Sequence, residues 1–292
     1  MRMGSKPIAN LAAGRQRWSG NDTMIEGYRS LLTTNSLTEV WRYRELFYFF
    51  AWRDVKIRYK QTVLGGAWAI LQPLFTMVVF TILFGHLGNM PSDGIPHPIF
   101  YYSALVPWTY FSSTLAYTAN SLVGNAPLLT KVYFPRVALP ASGVLSGLVD
   151  FAIASIVLIA MMVYYGVPIG WRLLLWPVLV VLLVVLTLGI GMLLAALNVR
   201  FRDIKHGIPF ANQLWLFVTP IIYPTSFVPE RFRLLLMLNP LAGLIDGFRA
   251  SILPDRQVDW QLLATSTILT LIIFAVANRY FRKTERDFAD IV

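Results

Sequence analysis

Six stretches of this chain, residues 64–84, 99–123, 141–165, 173–197, 208–228 and 260–278, are apolar runs long enough to cross a bilayer, and five of them hold no charged residue. A hydrocarbon core about 30 Å thick takes roughly 20 helical residues to span. Within lipid each backbone N–H and C=O must be satisfied inside its own segment, which makes a single run of this kind a helix. The third run holds one carboxyl, Asp150. The expected fold is an all-α integral membrane protein with six transmembrane helices. Only 14% of residues are charged, against about 25% in soluble domains.

A seventh candidate, LLLMLNPLAGLIDGFRASIL at 234–253, carries Asn239, Pro240, Asp246 and Arg249. An Asp or Arg at a helix centre costs about 2.5–3.5 kcal/mol on insertion scales. Pro240 also cuts the run into pieces that suit re-entrant helices. The stretch 229–255 therefore reads as two short re-entrant helices ahead of the last span.

Lys and Arg set the orientation. With six spans, 20 of the 25 fall on the side that holds both termini and 5 on the other. Basic loops stay in the cytoplasm, so both termini are expected there. A seventh span would throw the basic C-terminal tail outside. Trp68, Tyr101, Tyr102, Tyr165, Trp171 and Trp260 lie near expected span ends, where interfacial aromatic belts form. The net charge of +10 does not point to nucleic acid, because the basic residues flank apolar runs instead of forming one patch.

Residues 1–34 read as a basic cytoplasmic tail with no continuous apolar region of the secretory kind. Residues 35–63 read as an amphipathic interface helix, and 64–292 as the six-span domain. On a helical wheel Arg42, Glu45, Phe49, Arg53, Lys56 and Lys60 share one face. Leu37, Val40, Tyr48, Ala51, Val55 and Tyr59 lie opposite, and Asp54 is placed to pair with Arg58 one turn on. Such a helix lies on a membrane surface, either as a lipid anchor or as a docking surface for a soluble partner. Gly65 and Gly66 then allow the chain to turn into the bilayer. The loop PLLTKVYFPRVALP, bracketed by Pro127 and Pro140, is a rigid helix-turn that suits a partner contact or an ordinary interfacial turn.

Catalytic chemistry is not in view. There is no G-x-x-x-x-G-K-[ST] phosphate loop, and no cysteine for a disulfide or thiolate metal site. His86, His97 and His206 are scattered along the sequence, so no metal site is expected. The fourth span is almost wholly aliphatic and reads as lipid-facing. The second and fifth mix aromatics with hydroxyls and amides, which either line a path for sugars or join helices to one another. Tyr110, Tyr117, Trp215 and Tyr223 are the candidate path residues. Asp150 is a proton relay, a bond inside the bundle or a substrate contact.

Three motifs carry a resemblance. RDVKIRYKQTVLGGAWAILQPL, KVYFPRVALP and LNPLAGLIDGFR, in that order, resemble the polysaccharide-exporting ABC transporter permeases over about residues 35–285. The resemblance implies a permease that works as a homodimer with two copies of a separate ATPase. ATP and Mg would be bound by that partner, and this chain would bind no cofactor. The substrate class would be O-antigen, capsule or teichoic acid on a lipid carrier, exported across the bacterial inner membrane. Leu64, Gly65 and Gly66 then match the hinge loop after the interface helix. Lys131, Val132, Tyr133, Phe134, Pro135 and Arg136 match the ATPase-docking helix, with Arg53 and Lys56 beside it. Asn239, Pro240, Asp246 and Arg249 match the re-entrant helices. Arg53, Arg58, Tyr59 and Lys60 stand where a lipid diphosphate would first meet the protein, unless they serve only to bind lipid phosphates. An ABC exporter of a drug or small lipid, and an ion-driven transporter that depends on Asp150, are the alternatives. A membrane glycosyltransferase would need an acidic cluster that the sequence does not supply.

Overall fold

The computed structural model describes residues 43–60, 66–131, 134–168, 170–253, 256–285 and 288. Every regular element among them is helical. Helix α1 is Arg44–Lys60. Helix α2 is Ala67–Phe80, which continues as a π-helix over Thr81–Leu87. Then follow α3 His97–Ala119, the short α4 Ala126–Lys131, α5 Ala138–Tyr164, α6 Trp176–Arg200 and α7 Ile204–Val218. Helices α8 Glu230–Met237 and α9 Pro240–Ile252 precede the last, α10 Trp260–Thr284.

Four segments among the described residues are long and apolar enough to cross a membrane: Ala67–Leu87, Ala138–Tyr164, Trp171–Arg200 and Trp260–Thr284. The chain is a multi-pass membrane protein. Its exposed surface carries apolar side chains that water would not tolerate in such density, among them Phe75 and Ile82 of α2, Ile156 of α5 and Leu271 of α10. A bilayer is the solvent that suits them.

The remaining two expected spans depart from that pattern. Helix α3 is the hub of the bundle, with 16 of its 23 residues buried, and it packs on α2, α5, α6, α7 and α9. Most of its aromatics and hydroxyls therefore face protein, while Ser113 and Tyr117 are exposed. Tyr102 donates to the carbonyl of Ala154 (3.3 Å) and Tyr110 to that of Val144 (3.1 Å), both across to α5. Tyr101 and Tyr102 are consequently buried and form no interfacial belt, whereas Trp68, Trp171 and Trp260 are exposed.

The fifth expected run is helical only to Val218. Fifteen residues rise about 22 Å. Pro220 lacks an N–H and pushes Thr219 out of the helical region, to φ −87° and ψ 140°, so the helix stops there. The chain then runs irregularly to a short 3₁₀ turn, Thr225–Phe227. The aliphatic fourth run also corrects its expectation. It is not broadly lipid-facing, because α6 buries Leu179, Leu183 and Leu186 and packs on α3 and α10.

Pro240 separates α8 from α9, which meet at 102°. Helix α9 lies so close to α10 that a Cβ added at Gly243 would stand 2.3 Å from the Leu262 carbonyl oxygen. The Gly243 N–H instead donates to Ser266 Oγ (3.0 Å). A small residue here lets two backbones meet.

Candidate functional site

Two polar clusters lie near opposite ends of α3, separated by about 35 Å of helix. The first fastens α1 to the bundle. Phe47, Phe50 and Asp54 form the buried face of α1, while Tyr48, Phe49, Trp52, Lys56, Ile57 and Lys60 are exposed. The two-sided wheel expected from sequence is thus replaced by a helix with a third face, set by tertiary packing. Phe50 meets Phe134 edge-on, ring centroids 5.4 Å apart. Asp54 Oδ1 accepts from Arg53 at 2.8 Å, and Ser142 Oγ of α5 donates to Asp54 Oδ2 at 2.8 Å.

One turn further along α1, Arg58 and the Tyr59 hydroxyl both donate to Asp150 of α5. The expected Asp54–Arg58 pair therefore gives way to two bonds between helices. Arg58 also sits over the Tyr117 ring of α3, 5.5 Å from its centroid. Burial, and next the bond to Asp150, push the Tyr59 pKa above its ordinary value, so Tyr59 is a neutral donor at physiological pH. The fastening is reciprocal: a carboxylate of α1 is held by α5, and a carboxylate of α5 by α1.

The motif residues around this cluster are partly committed to it. Phe134 is buried under Phe50, so its ring fills an internal contact and not a partner's groove. The Arg136 N–H donates to Glu285 Oε1 (3.0 Å), its guanidinium donates to the Glu285 carbonyl, and it lies 5.9 Å from the Phe288 ring. Pro135 is half-buried beside them. Val132, Tyr133, Leu64 and Gly65, the tail 1–34 and the start of the interface helix lie outside the described residues, as does the Lys131 side chain. Gly66 has an ordinary helical φ of −68°. Its small size matters instead, since a Cβ there would stand 3.3 Å from the Tyr59 ring. Arg53 lies 5.0 Å over Phe50, and Lys56 lies 5.4 Å over Trp52.

The second cluster organises the irregular chain after α7. Arg249 of α9 is fully buried. Its guanidinium donates to the carbonyls of Pro220 (2.9 Å) and Ile221 (3.0 Å) and stacks 3.8 Å from the Phe100 ring. Asn239 accepts from Trp215 Nε1 (2.9 Å), donates to Thr219 Oγ1 (3.0 Å) and caps α9 by accepting from the Leu241 N–H (3.1 Å). These bonds replace the helix ladder that Pro220 interrupts. Beyond them Arg256 bridges Asp93 and Asp246, 2.5 Å to each, and donates to Thr225 Oγ1.

The structure does not gather the four candidate path residues on one stripe. Tyr110 is buried against α5, where its hydroxyl and ring are both taken up by the bundle. Tyr117 lies beside α1. Trp215 packs on Phe111 and bonds Asn239. The Tyr223 hydroxyl donates back to the Val218 carbonyl (3.1 Å). The periodicity of α3 alone carried no sign of which flank its hydroxyls would face.

His86 and His97, on either side of the loop before α3, have ring centroids 6.1 Å apart. One nitrogen of each meets a backbone carbonyl, of Thr81 and Met90 respectively. No group of His, Asp and Glu able to hold a metal ion occurs among the described residues.

The arrangement is that of a membrane bundle with α1 clamped to it. Over 257 residues the chain is 31% identical to the O-antigen export system permease protein RfbA of Myxococcus xanthus, covering 87% of this chain and 98% of the relative. It is 29% identical over 244 residues to the protein of the same name from Klebsiella pneumoniae, covering 82% and 92%. The polysialic acid transport protein KpsM of Escherichia coli is 24% identical over 229 residues, covering 76% and 87%. Residues 45–253, from the start of the clamped surface helix to the end of α9, match the model of the ABC-2 type transporter family; the chain belongs to that family.

Proposed function

We propose that this chain is the permease subunit of an ATP-driven exporter that moves a lipid-linked polysaccharide from the cytoplasm to the outer side of the bacterial inner membrane. The observation that carries this reading is the likeness to an O-antigen export permease along 98% of that protein. Two copies of the chain would form the path, with two copies of a separate ATPase binding ATP and Mg on the cytoplasmic side. Helix α3 and α7 with its irregular continuation would complete six spans, and α8 and α9 would re-enter from the outer face. Phe210, Leu214 and Phe217 of α7 are exposed, which suits a partner protomer or lipid. Both termini would be cytoplasmic, by the distribution of Lys and Arg.

An ion-driven transporter using Asp150 has less support, because Arg58 and Tyr59 already hold that carboxylate. The test is deletion of the gene in its own host. The expected result is loss of a surface polysaccharide with build-up of the lipid-linked polymer inside the cell, both reversed by a plasmid copy. Unchanged surface polymer would overturn the reading.

A further inference from the structure

At the end of α3 away from α1, a half-open cavity of about 650 Å³ is lined by the loop before α3, the 3₁₀ turn, α8 and the connection to α10. Its polar wall is Asp93, Thr225, Ser226, Glu230, Arg233 and Asp246, with Arg256, Gln257 and Asp259 completing the rim. Ile95, Val228, Leu236, Leu253 and Leu262 form an apolar floor. The volume lies within the range of small-molecule sites, about 300–1,000 Å³.

The wall is built in advance. Asp246, its side chain only 3% exposed, accepts from Arg256 at 2.5 Å and from Thr225 Oγ1 at 2.9 Å. Asp93 accepts from Arg256 at 2.5 Å and from Ser226 at 2.9 Å. Arg233 pairs with Asp259 at 3.0 Å. Polar groups held this way need no rearrangement to meet a ligand.

From this geometry we infer that the cavity is a weak binding site for uncharged sugar units, on the outer face where the exported polymer would emerge. The inference rests on the export reading above. Carboxylates and hydroxyls accept from sugar O–H groups, guanidiniums and Gln257 donate to them, and the apolar floor takes the C–H face. The charge balance sets the class of sugar. Among the described lining residues four carboxylates (Asp93, Glu230, Asp246, Asp259) stand against two guanidiniums (Arg233, Arg256), and with the buried Arg249 that acts on Asp93 and Asp246 from behind, the balance stays negative, so an acidic sugar meets net repulsion and a neutral one does not. No aromatic ring lines the cavity among the described residues. Contacts are therefore polar and individually weak, as a site that must release a moving polymer requires.

The test uses the full chain purified in detergent. Saturation-transfer NMR with a neutral glucose tetramer is expected to show saturable binding in the millimolar range, with an acidic galacturonate tetramer bound about tenfold more weakly. The tetramer is also expected to shield a thiol at Gln257→Cys from a water-soluble reagent; the chain has no other cysteine. Glu230→Gln, at the exposed mouth, is expected to narrow the tenfold preference to about threefold.

No saturable signal at concentrations on the order of 10 mM, equal or tighter binding of the acidic tetramer, or an unprotected thiol would overturn the site. If binding is missing while the host still exports polymer through this chain, the site fails and the export reading stands. If the tetramer binds and protects residue 257 although gene deletion leaves surface polymer unchanged, the export reading fails and the sugar site stands.

Discussion

The guanidinium of Arg249 satisfies the carbonyls of Pro220 and Ile221, which have no helical donors because the helix stops at Val218 and Pro224 has no N–H. Replacing it by Met keeps the volume but leaves the Pro220 and Ile221 carbonyls without their donor. Each such loss costs about 1–3 kcal/mol, so Arg249→Met is expected to lower stability by about 3 kcal/mol. Thermal unfolding in detergent, read by size-exclusion chromatography, checks this; an unchanged midpoint would refute it. That Arg249 matters was legible from its place in an apolar run. That it serves the end of α7 was not, because its partners lie 28 and 29 residues away. Asp150 makes a similar point. In sequence it is a lone carboxyl in an apolar run, open to three roles, and the bonds from Arg58 and Tyr59 favour a bond inside the bundle. Asp150→Asn retains an acceptor for Tyr59, so export is expected to fall by no more than about tenfold, equivalent to about 1.4 kcal/mol. Complete loss in an assay with functional ATPase would favour proton transfer instead. The fold favours neutral Tyr59, whose pKa is raised. Its contribution is therefore complete below the ordinary tyrosine value of about 10 and is lost only as pH rises through the higher folded value. Over pH 6–9 the Tyr59 contact is expected to leave α1 docking unchanged, which proteolysis of α1 across that range measures.

At the scale of elements, the bend between α8 and α9 and the stop of α7 have the same cause, and both causes were visible. Pro240 marks a break in the sequence itself. Pro220 and Pro224 fall inside the apolar run 208–228, but hydropathy averaged over about 20 residues hides a local loss of backbone donors. The close seat of α9 on α10 was not legible at all, since a glycine in an apolar run does not name the backbone that approaches it. Gly243→Ala places a methyl 2.3 Å from the Leu262 carbonyl oxygen, so the helices must separate. A loss of about 1–3 kcal/mol is expected, as for other overpacked sites. Gly124→Ala, in the four-residue helix Ser121–Gly124 after α3, is the control. No atom lies within 4 Å of a Cβ there, and alanine favours a helix over glycine by about 1 kcal/mol. If the two variants unfold at the same temperature, the α9–α10 contact is not as tight as described.

For the whole molecule, the question is how a signal at the surface helix reaches the bundle. A helix fastened at one point swivels, whereas one fastened at two carries rotation as well as translation into its support. Helix α1 has two polar attachments to α5, at Ser142 and Asp150. These are separated by eight residues, about 12 Å along α5. The buried rings of Phe47 and Phe50 add contact beside them. If ATP hydrolysis on a partner moves α1, this linkage is what moves α5. Each attachment holds α1 in place for the other, so loss of both is expected to exceed the sum of single losses. In an Asp150→Asn background, Asp54→Cys with Ser142→Cys removes the other attachment. The complex with its ATPase is then expected to hydrolyse ATP at close to the native rate while export falls well below that of Asp150→Asn alone. Because the chain has no native cysteine, a short bis-methanethiosulfonate crosslinker, each end losing methanesulfinate to form a reducible disulfide, finds within this chain only the two introduced thiols. Crosslinking is expected to recover much of the export, and reduction to abolish it again. Hydrolysis measured beside export separates this outcome from simple unfolding, in which both fall together. If the uncrosslinked protein exports as well as Asp150→Asn, the fastening of α1 to α5 does not transmit the stroke, and the signal enters elsewhere.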